Sequence, residues 1–375
     1  MAEPRSLRIL GLVEGDPDTA LSGVARHLLG ALDRPFDVVD RLDFGMLGAQ
    51  RAAIAAATFR PSRTSWRARF HTSRLSHRVL SRNLRRRAAG ISAEFDLALQ
   101  VHGWVSGQPR PYAIYVDQTR LMAETGWPAW MPFSAGERDK LLNLERSMYA
   151  EAAHLFVMGK PARDSLRADY GVDESRISVV GGGLPYDDPP TPGQLTDEPS
   201  ILFIGRDFER KGGRVLLEAF DQVRKRMPSA TLSIVGAARD FGVPGVTGYG
   251  KVGDRQELGN LFRRARAFCL PSLYEPYGLV LIEAMAHGIP CVGSAVQSIP
   301  EILDQGGAGL VVPPGDVTEL AAALISLLTD DELAGSLAAN GPRWVEETLT
   351  WDHVAARIAA ALKRVGSTAP QRNRP

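Results

Sequence analysis

Two cysteines, Cys269 and Cys291, are all that 375 residues contain. Both stand in apolar, strand-like runs, so a disulfide framework is excluded and reduced core thiols, hence the cytoplasm, are expected. No run of 18 or more apolar residues occurs, so no membrane-spanning helix is expected. The start MAEPRSLRIL lacks the long apolar stretch of a signal peptide. No G-x-G-x-x-G is present in the first half, which argues against a dinucleotide-binding dehydrogenase. No D-x-D flanked by strand residues occurs and the histidines are scattered, so chemistry without a divalent metal or other cofactor is expected. Between Asp43 and Glu94 there is no acidic residue at all, while eleven arginines and two histidines crowd that stretch. The balance of 44 basic against 43 acidic residues conceals this local asymmetry.

What is present is alternation. LRILGLV, FDVVD, FDLALQVHG, PYAIYVDQT, HLFVMG and RISVVGG are strand-like, and amphipathic runs such as SGVARHLLGALDR and ERDKLLNLERSMYAEAA separate most of them. The segment LPYDDPPTPGQLTDEP is too rich in Pro and Asp for regular structure and reads as an interdomain linker. The pattern then restarts with ILFIG, TLSIVGA, VTGYGKV, AFCLPS and IPCVGSA. Two doubly wound α/β domains are therefore expected, residues 1–183 and 199–350, joined by a linker over 184–198. Ligands are expected at the carboxyl ends of the strands, in a cleft between the lobes. WDHVAARIAAALKRV, 351–365, reads as a terminal helix, and 366–375 as a disordered tail.

Chemistry concentrates in PSLYEPYGLVLIEAMAHGIPCVGS. A short buried strand runs into a Pro/Gly loop, and a helix opens near Gly278. Its unpaired N–H groups and dipole suit a phosphate, and Gly278 permits close approach. Glu275 lies in the loop and Glu283 in the second turn. Carboxylates facing a phosphate would repel it, so accepting hydrogen bonds from neighbouring hydroxyls is one task for the pair; a dipole-stabilised helix carboxylate and a solvated loop residue is the other reading. In ILFIGRDFERKGG, Gly205 and Arg206 follow a strand and Lys211 precedes a helix. These cations suit a diphosphate, with an ordinary charged loop as the alternative.

The string EPYGLVLIEAMAHGIPCVGS resembles the E-x7-E signature of the retaining family-4 glycosyltransferases, which have a GT-B fold of two Rossmann-like domains facing across a cleft. The resemblance covers roughly the C-terminal half and extends more weakly over the rest. It implies that Glu275 contacts the donor sugar, Glu283 the nucleotide ribose, and Arg206 and Lys211 the pyrophosphate. Tyr277, Gly278 and Leu279 become backbone donors to phosphate or sugar. SIPEIL with GGAGLVVPPGD is similar to the stretch that closes the family's nucleotide pocket. The last helix is expected to cross back to the first domain.

For the acceptor end, Ser22 and Gly23 precede a helix after the first strand, as a cap and a close-approach position. His102 and Asp117 end apolar strands, where side chains point into the cleft or simply close turns. Family members often carry a histidine near the position of Asp117, so the chain departs there, leaving open whether Asp117 serves as a base or positions the acceptor. The run 60–87 reads as one basic amphipathic helix with a stripe of Phe70, Leu75, Val79, Leu80 and Leu84. It would pack that stripe on its lobe, lie on anionic lipid, or face an anionic acceptor. Without stacked aromatics, a nucleic-acid partner rests on charge alone.

The expected activity is transfer of a sugar, with retention, from a UDP- or GDP-type donor to a hydroxyl acceptor, in the cytoplasm or at the inner membrane face. The alternatives are a sugar-nucleotide epimerase or phosphorylase, and a non-catalytic membrane or nucleic-acid binding protein.

Overall fold

The computed structural model describes residues 6–18, 20–237 and 240–368. The chain divides into two compact units, Met1–Gly181 with Trp351–Pro375, and Gly182–Thr350. Each is built on one six-stranded parallel sheet.

In the first unit the strands are β1 Arg8–Val13, β2 Asp37–Asp43, β3 Leu97–Val101, β4 Tyr112–Val116, β5 His154–Val157 and β6 Ile177–Val179, in the order β2-β1-β3-β4-β5-β6. All residues of β3, β4 and β5 are buried. LALQV, YAIYV and HLFV can therefore be nearly continuous apolar runs, as a sheet covered on both faces requires. The helix Val24–Leu32 packs with the terminal helix Trp351–Thr368, where the rings of His27 and Trp351 stack at 6.4 Å. Arg357 Nε donates to the carbonyl of Val180 at 2.7 Å, and Val354 and Ile358 are fully buried. The terminal helix runs on through Thr368, three residues into the segment read as a tail, and 369–375 lie outside the described residues.

The arginine-rich run is two helices, Arg63–Thr72 and Arg74–Ala88, and not one. Ser73 takes an extended conformation, ψ 158°, ends the first helix and caps the second by accepting from Ser76 N at 3.2 Å. A hydroxyl that satisfies a free helix-start N–H makes this break favourable. Leu80 and Leu84 are buried in the core, so the rear of the stripe packs on this unit, while Leu75 is 40% exposed.

In the second unit the strands are β7 Ser200–Ile204, β8 Thr231–Val235, β9 Val246–Gly250, β10 Ala267–Leu270, β11 Cys291–Ser294 and β12 Gly309–Val312, in the order β12-β11-β10-β7-β8-β9. Cys269 and Cys291 are free, buried thiols on adjacent strands. Residues 184–198 hold no helix or strand, yet they are not a free spacer. They belong to this unit, with Leu184 N donating to Leu349 O at 2.8 Å and Gly193 N to His287 O at 3.4 Å.

Candidate functional site

In a doubly wound sheet, ligands collect where successive strands depart in opposite directions, because the loops there part and leave a crevice at the carboxyl ends. In the second unit that reversal falls between β7 and its neighbour β10. The loops leaving these two strands carry Gly205, Arg206 and Lys211 on one side, and Glu275, Tyr277 and Gly278 on the other.

The loops interlock through backbone. Leu273 N donates to Arg210 O at 2.8 Å, and Arg210 Nη1 donates to Tyr274 O at 2.6 Å. Gly212, at φ 75°, caps the helix Gly213–Arg226 without a side chain. A Cβ there would stand 1.8 Å from Pro271 O. Only glycine supports this approach and this backbone conformation. A Cβ on Gly205 would meet Lys211 Cδ at 2.5 Å, so the lysine stem lies across that glycine. Gly278, at φ 107°, caps Leu279–Ala286, again with no side chain. Two helices thus start at this edge without side-chain caps, the arrangement in which first-turn N–H groups can serve an anion.

The two carboxylates of E-x7-E lie in different surroundings. Glu275 is buried, its Oε2 2.9 Å from Lys211 Nζ and 3.3 Å from Arg210 Nη1. Arg210 also donates through Nε to Asp207 Oδ2 at 3.3 Å. Lys211 is therefore engaged with Glu275, and its side chain keeps 16% exposure. Arg206 is exposed and forms no ion pair among the described residues. Glu283 accepts from Tyr186 Oη at 3.3 Å. Burial pushes its carboxyl up to about 7, against the opposing pull of Arg255, the Tyr186 hydroxyl and Lys211. Arg255 lies over the Tyr186 ring at 4.7 Å and donates to Pro185 O at 3.1 Å. Tyr277 is buried, and its hydroxyl accepts from Gly182 N at 2.9 Å, which fixes the loop before Gly278.

Three of these partners escape a reading of the sequence. Arg210 looks like background charge in RDFERK, yet the turn through 207–212 directs it inward, where Lys211 N bonds Asp207 O and Gly212 N bonds Glu209 O. Tyr186 belongs to the segment read as a linker, and Arg255 to a helix, Arg255–Arg263, with no motif of its own. An aromatic within a Pro/Asp-rich stretch is a signal that could have found Tyr186.

In the first unit, His102 Nδ1 lies 3.4 Å from Asp117 Oδ1, so the two strand-end residues do meet. Gly23, at φ 89°, holds the N-cap position of Val24–Leu32; the side chain of Ser22, expected as a cap, lies outside the described residues. Among the described residues no group of three His, Cys, Asp or Glu is placed to hold a metal ion, and no helix is long and apolar enough to cross a membrane.

Residues 198–330 match the family model described as Glycosyl transferases group 1. A glycogen synthase of Mycobacterium tuberculosis is 27% identical over 329 residues, covering 81% of this chain and 78% of that protein. A phosphatidyl-myo-inositol mannosyltransferase of Mycolicibacterium smegmatis is 30% identical over 230 residues, covering 59% of this chain and 57% of its own length. Among solved structures, sucrose-phosphate synthase of Thermosynechococcus elongatus matches with a TM-score of 0.69 at 20% identity, over 97% of this chain and 100% of that one. WaaG, a glycosyltransferase of lipopolysaccharide biosynthesis, matches with a TM-score of 0.66 at 15% identity, over 94% and 98%. These likenesses show an α/β GT-B fold.

Proposed function

We propose, for a chain that belongs to the family-4 type of glycosyltransferases and uses a nucleotide-sugar donor, that transfer to a hydroxyl acceptor proceeds with retention and without a divalent metal. The observation that carries this reading is the cluster of Lys211, Arg210 and Glu275 beside the uncapped helix at Gly278, at the strand reversal of the second unit. Arg206 and Lys211 stabilise the departing diphosphate, Glu275 orients the sugar, and Glu283 holds the ribose. Backbone N–H groups from Tyr277 to Leu279 face phosphate or sugar. No described side chain is assigned as a covalent nucleophile. The acceptor hydroxyl therefore bonds to the anomeric carbon on the face from which the diphosphate leaves with its electron pair. The hydroxyl proton passes to a departing phosphate oxygen. Charge stabilisation of that leaving group supplies the largest share of the barrier reduction. His102 and Asp117 form the polar pair at the acceptor end.

The test is calorimetric titration of UDP-glucose and GDP-mannose into wild type and Glu283→Ala. A donor that binds wild type and loses affinity in the variant supports the ribose assignment; unchanged affinity removes it. Product anomers identified by proton NMR decide retention. Incubation with donor alone tests the epimerase alternative, and a requirement for inorganic phosphate as acceptor would indicate a phosphorylase.

A second reading concerns location. Leu47 is 60%, Phe59 57% and Leu75 40% exposed, all within the acid-free stretch, where Phe59 packs edge-on to Trp66 at 5.6 Å. Exposed apolar side chains among arginines are the composition that favours contact with an anionic lipid surface. Co-sedimentation with vesicles containing phosphatidylglycerol, against vesicles of phosphatidylcholine alone, tests it.

A further inference from the structure

The Pro/Asp-rich segment 184–198 carries no helix or strand, yet contacts hold it to the second unit along its length. Leu184 N donates to Leu349 O at 2.8 Å, Arg255 Nη2 to Pro185 O at 3.1 Å, Gly193 N to His287 O at 3.4 Å and Arg266 Nη1 to Thr196 O at 2.9 Å. A Cβ on Gly288 would stand 3.3 Å from Pro192 Cβ, so the segment crosses that glycine closely. Pro185, Pro189, Pro190 and Pro192 fix φ at their positions, which lowers the conformational entropy lost on holding the segment in one path. It is an arm of the second unit and not a spacer.

This arm brings Tyr186 to Glu283, where its Oη donates to Glu283 Oε2 at 3.3 Å. Two neighbours hold the ring. Arg255 Cζ lies 4.7 Å from its centroid, and His287 meets it edge-on at 6.1 Å while stacking on Phe262 at 4.5 Å. A cation over the phenol adds attraction to packing, so the hydroxyl is aimed by its surroundings. Burial, with the Glu283 carboxylate second, pushes the Tyr186 hydroxyl far above its ordinary range, so it stays a donor throughout neutral pH. The other groups facing Glu283 are Arg255 and Lys211, which favour its ionised form by charge. His287, which closes the helix of Glu283, is lowered to about 4, chiefly by burial, and is neutral in the same range. A carboxylate offers about four acceptor positions; Tyr186 takes one, which leaves room for two neighbouring hydroxyls.

We propose that Tyr186 is a positioning residue for nucleotide binding: its hydroxyl, aimed by Arg255, orients the Glu283 carboxylate so that the free acceptor positions face the ribose. The proposal rests on the assignment of Glu283 to the ribose and adds the arm 184–198 to the donor site. Tyr186 acts through Glu283 and touches no reacting atom. Without its hydroxyl the carboxylate can turn about its terminal torsion, which is broad and two-fold, and it loses the directed bond that favours its charge.

The test is calorimetric titration of the full chain with UDP, GDP and their 2′-deoxy counterparts, in wild type, Tyr186→Phe, Glu283→Ala and the double variant. Tyr186→Phe removes one oxygen and keeps a ring beneath Arg255. It is expected to weaken binding of the ribonucleotide that wild type takes by roughly fivefold or more at pH 7. The loss should be smaller for the 2′-deoxy nucleotide, which offers one hydroxyl fewer. On the Glu283→Ala background the same substitution should change affinity by less than about twofold, because the group through which it acts is gone. Between pH 6 and pH 9 the affinity of wild type should rise through about 7 as Glu283 ionises, and in Tyr186→Phe that rise should move to higher pH. Titration of the nucleotide itself is common to both proteins and cancels in the comparison. An unchanged affinity in Tyr186→Phe at pH 7 overturns the proposal. So does an equal loss with and without Glu283, which would make Tyr186 a packing residue or a direct contact of the nucleotide. A Glu283→Ala variant that binds as tightly as wild type overturns the ribose assignment instead, and a wild type that binds neither nucleotide overturns the donor site beneath both.

Discussion

Glu283 carries a cost that can be measured. Its carboxyl is lifted from an ordinary 4.5 to about 7, chiefly by burial, with Arg255, Tyr186 and Lys211 recovering only part of the lost solvation. A group whose folded-state affinity for protons exceeds its unfolded one makes the folded state more stable below about pH 4.5. That advantage is lost as pH rises through 7. At ~1.4 kcal/mol per pH unit the span sets an upper bound of ~3 kcal/mol, and residual solvent access reduces this to ~1–2 kcal/mol. Glu283→Gln removes the ionisation, so at pH 8 it should stabilise the second unit by that amount, which corresponds to roughly 2–8 °C in Tm for a domain of this size. At pH 5, where the unfolded carboxyl is already largely ionised, the difference should shrink to ~0.6–0.8 kcal/mol, roughly 1–3 °C in Tm. The same substitution should weaken nucleotide binding, since the ionised carboxylate is the better acceptor of ribose hydroxyls. Differential scanning calorimetry across pH 5–8 gives the stability arm, and titration calorimetry the binding arm. A variant no more stable at pH 8 than at pH 5, relative to wild type, would refute the claim that Glu283 is held against its solvation preference.

Three further outcomes follow from the packing. Gly212→Ala places a methyl group 1.8 Å from Pro271 O at a φ of 75°, so the loops must separate; a loss of ~3 kcal/mol or more is expected in urea denaturation of the second unit. Lys211→Met should lower kcat by ~10²–10³ with intact secondary structure by circular dichroism, the cost of removing one charge from a stabilised leaving group. Phe59→Asp and Leu47→Asp together should reduce co-sedimentation with phosphatidylglycerol vesicles severalfold, with nucleotide affinity unchanged.

What the sequence disclosed depended on how local the cause was. The strands were legible because runs such as LALQV and AFCL are buried on both faces, and the loops after β7 and β10 because glycine and charge sit at fixed offsets from a strand end. Glu275 and Glu283 were legible for the same reason, being eight positions apart on one loop and helix. Arg210, Tyr186 and Arg255 were not, because their significance arises from contacts across 65, 97 and 70 positions respectively. Ser73 divides the arginine-rich run by a hydroxyl cap that competes with a continuous periodic pattern, and periodicity concealed it. The strand reversals emerge only once the sheets are assembled.

The central claim, a nucleotide-sugar site on the second unit, is tested most directly by hydrogen–deuterium exchange with UDP and GDP. The account expects slower exchange in peptides spanning 205–213 and 272–286 with at least one of these nucleotides, and no change over 60–87. Protection confined to the arginine-rich helices, or no protection at either loop with a nucleotide shown to bind, would contradict it.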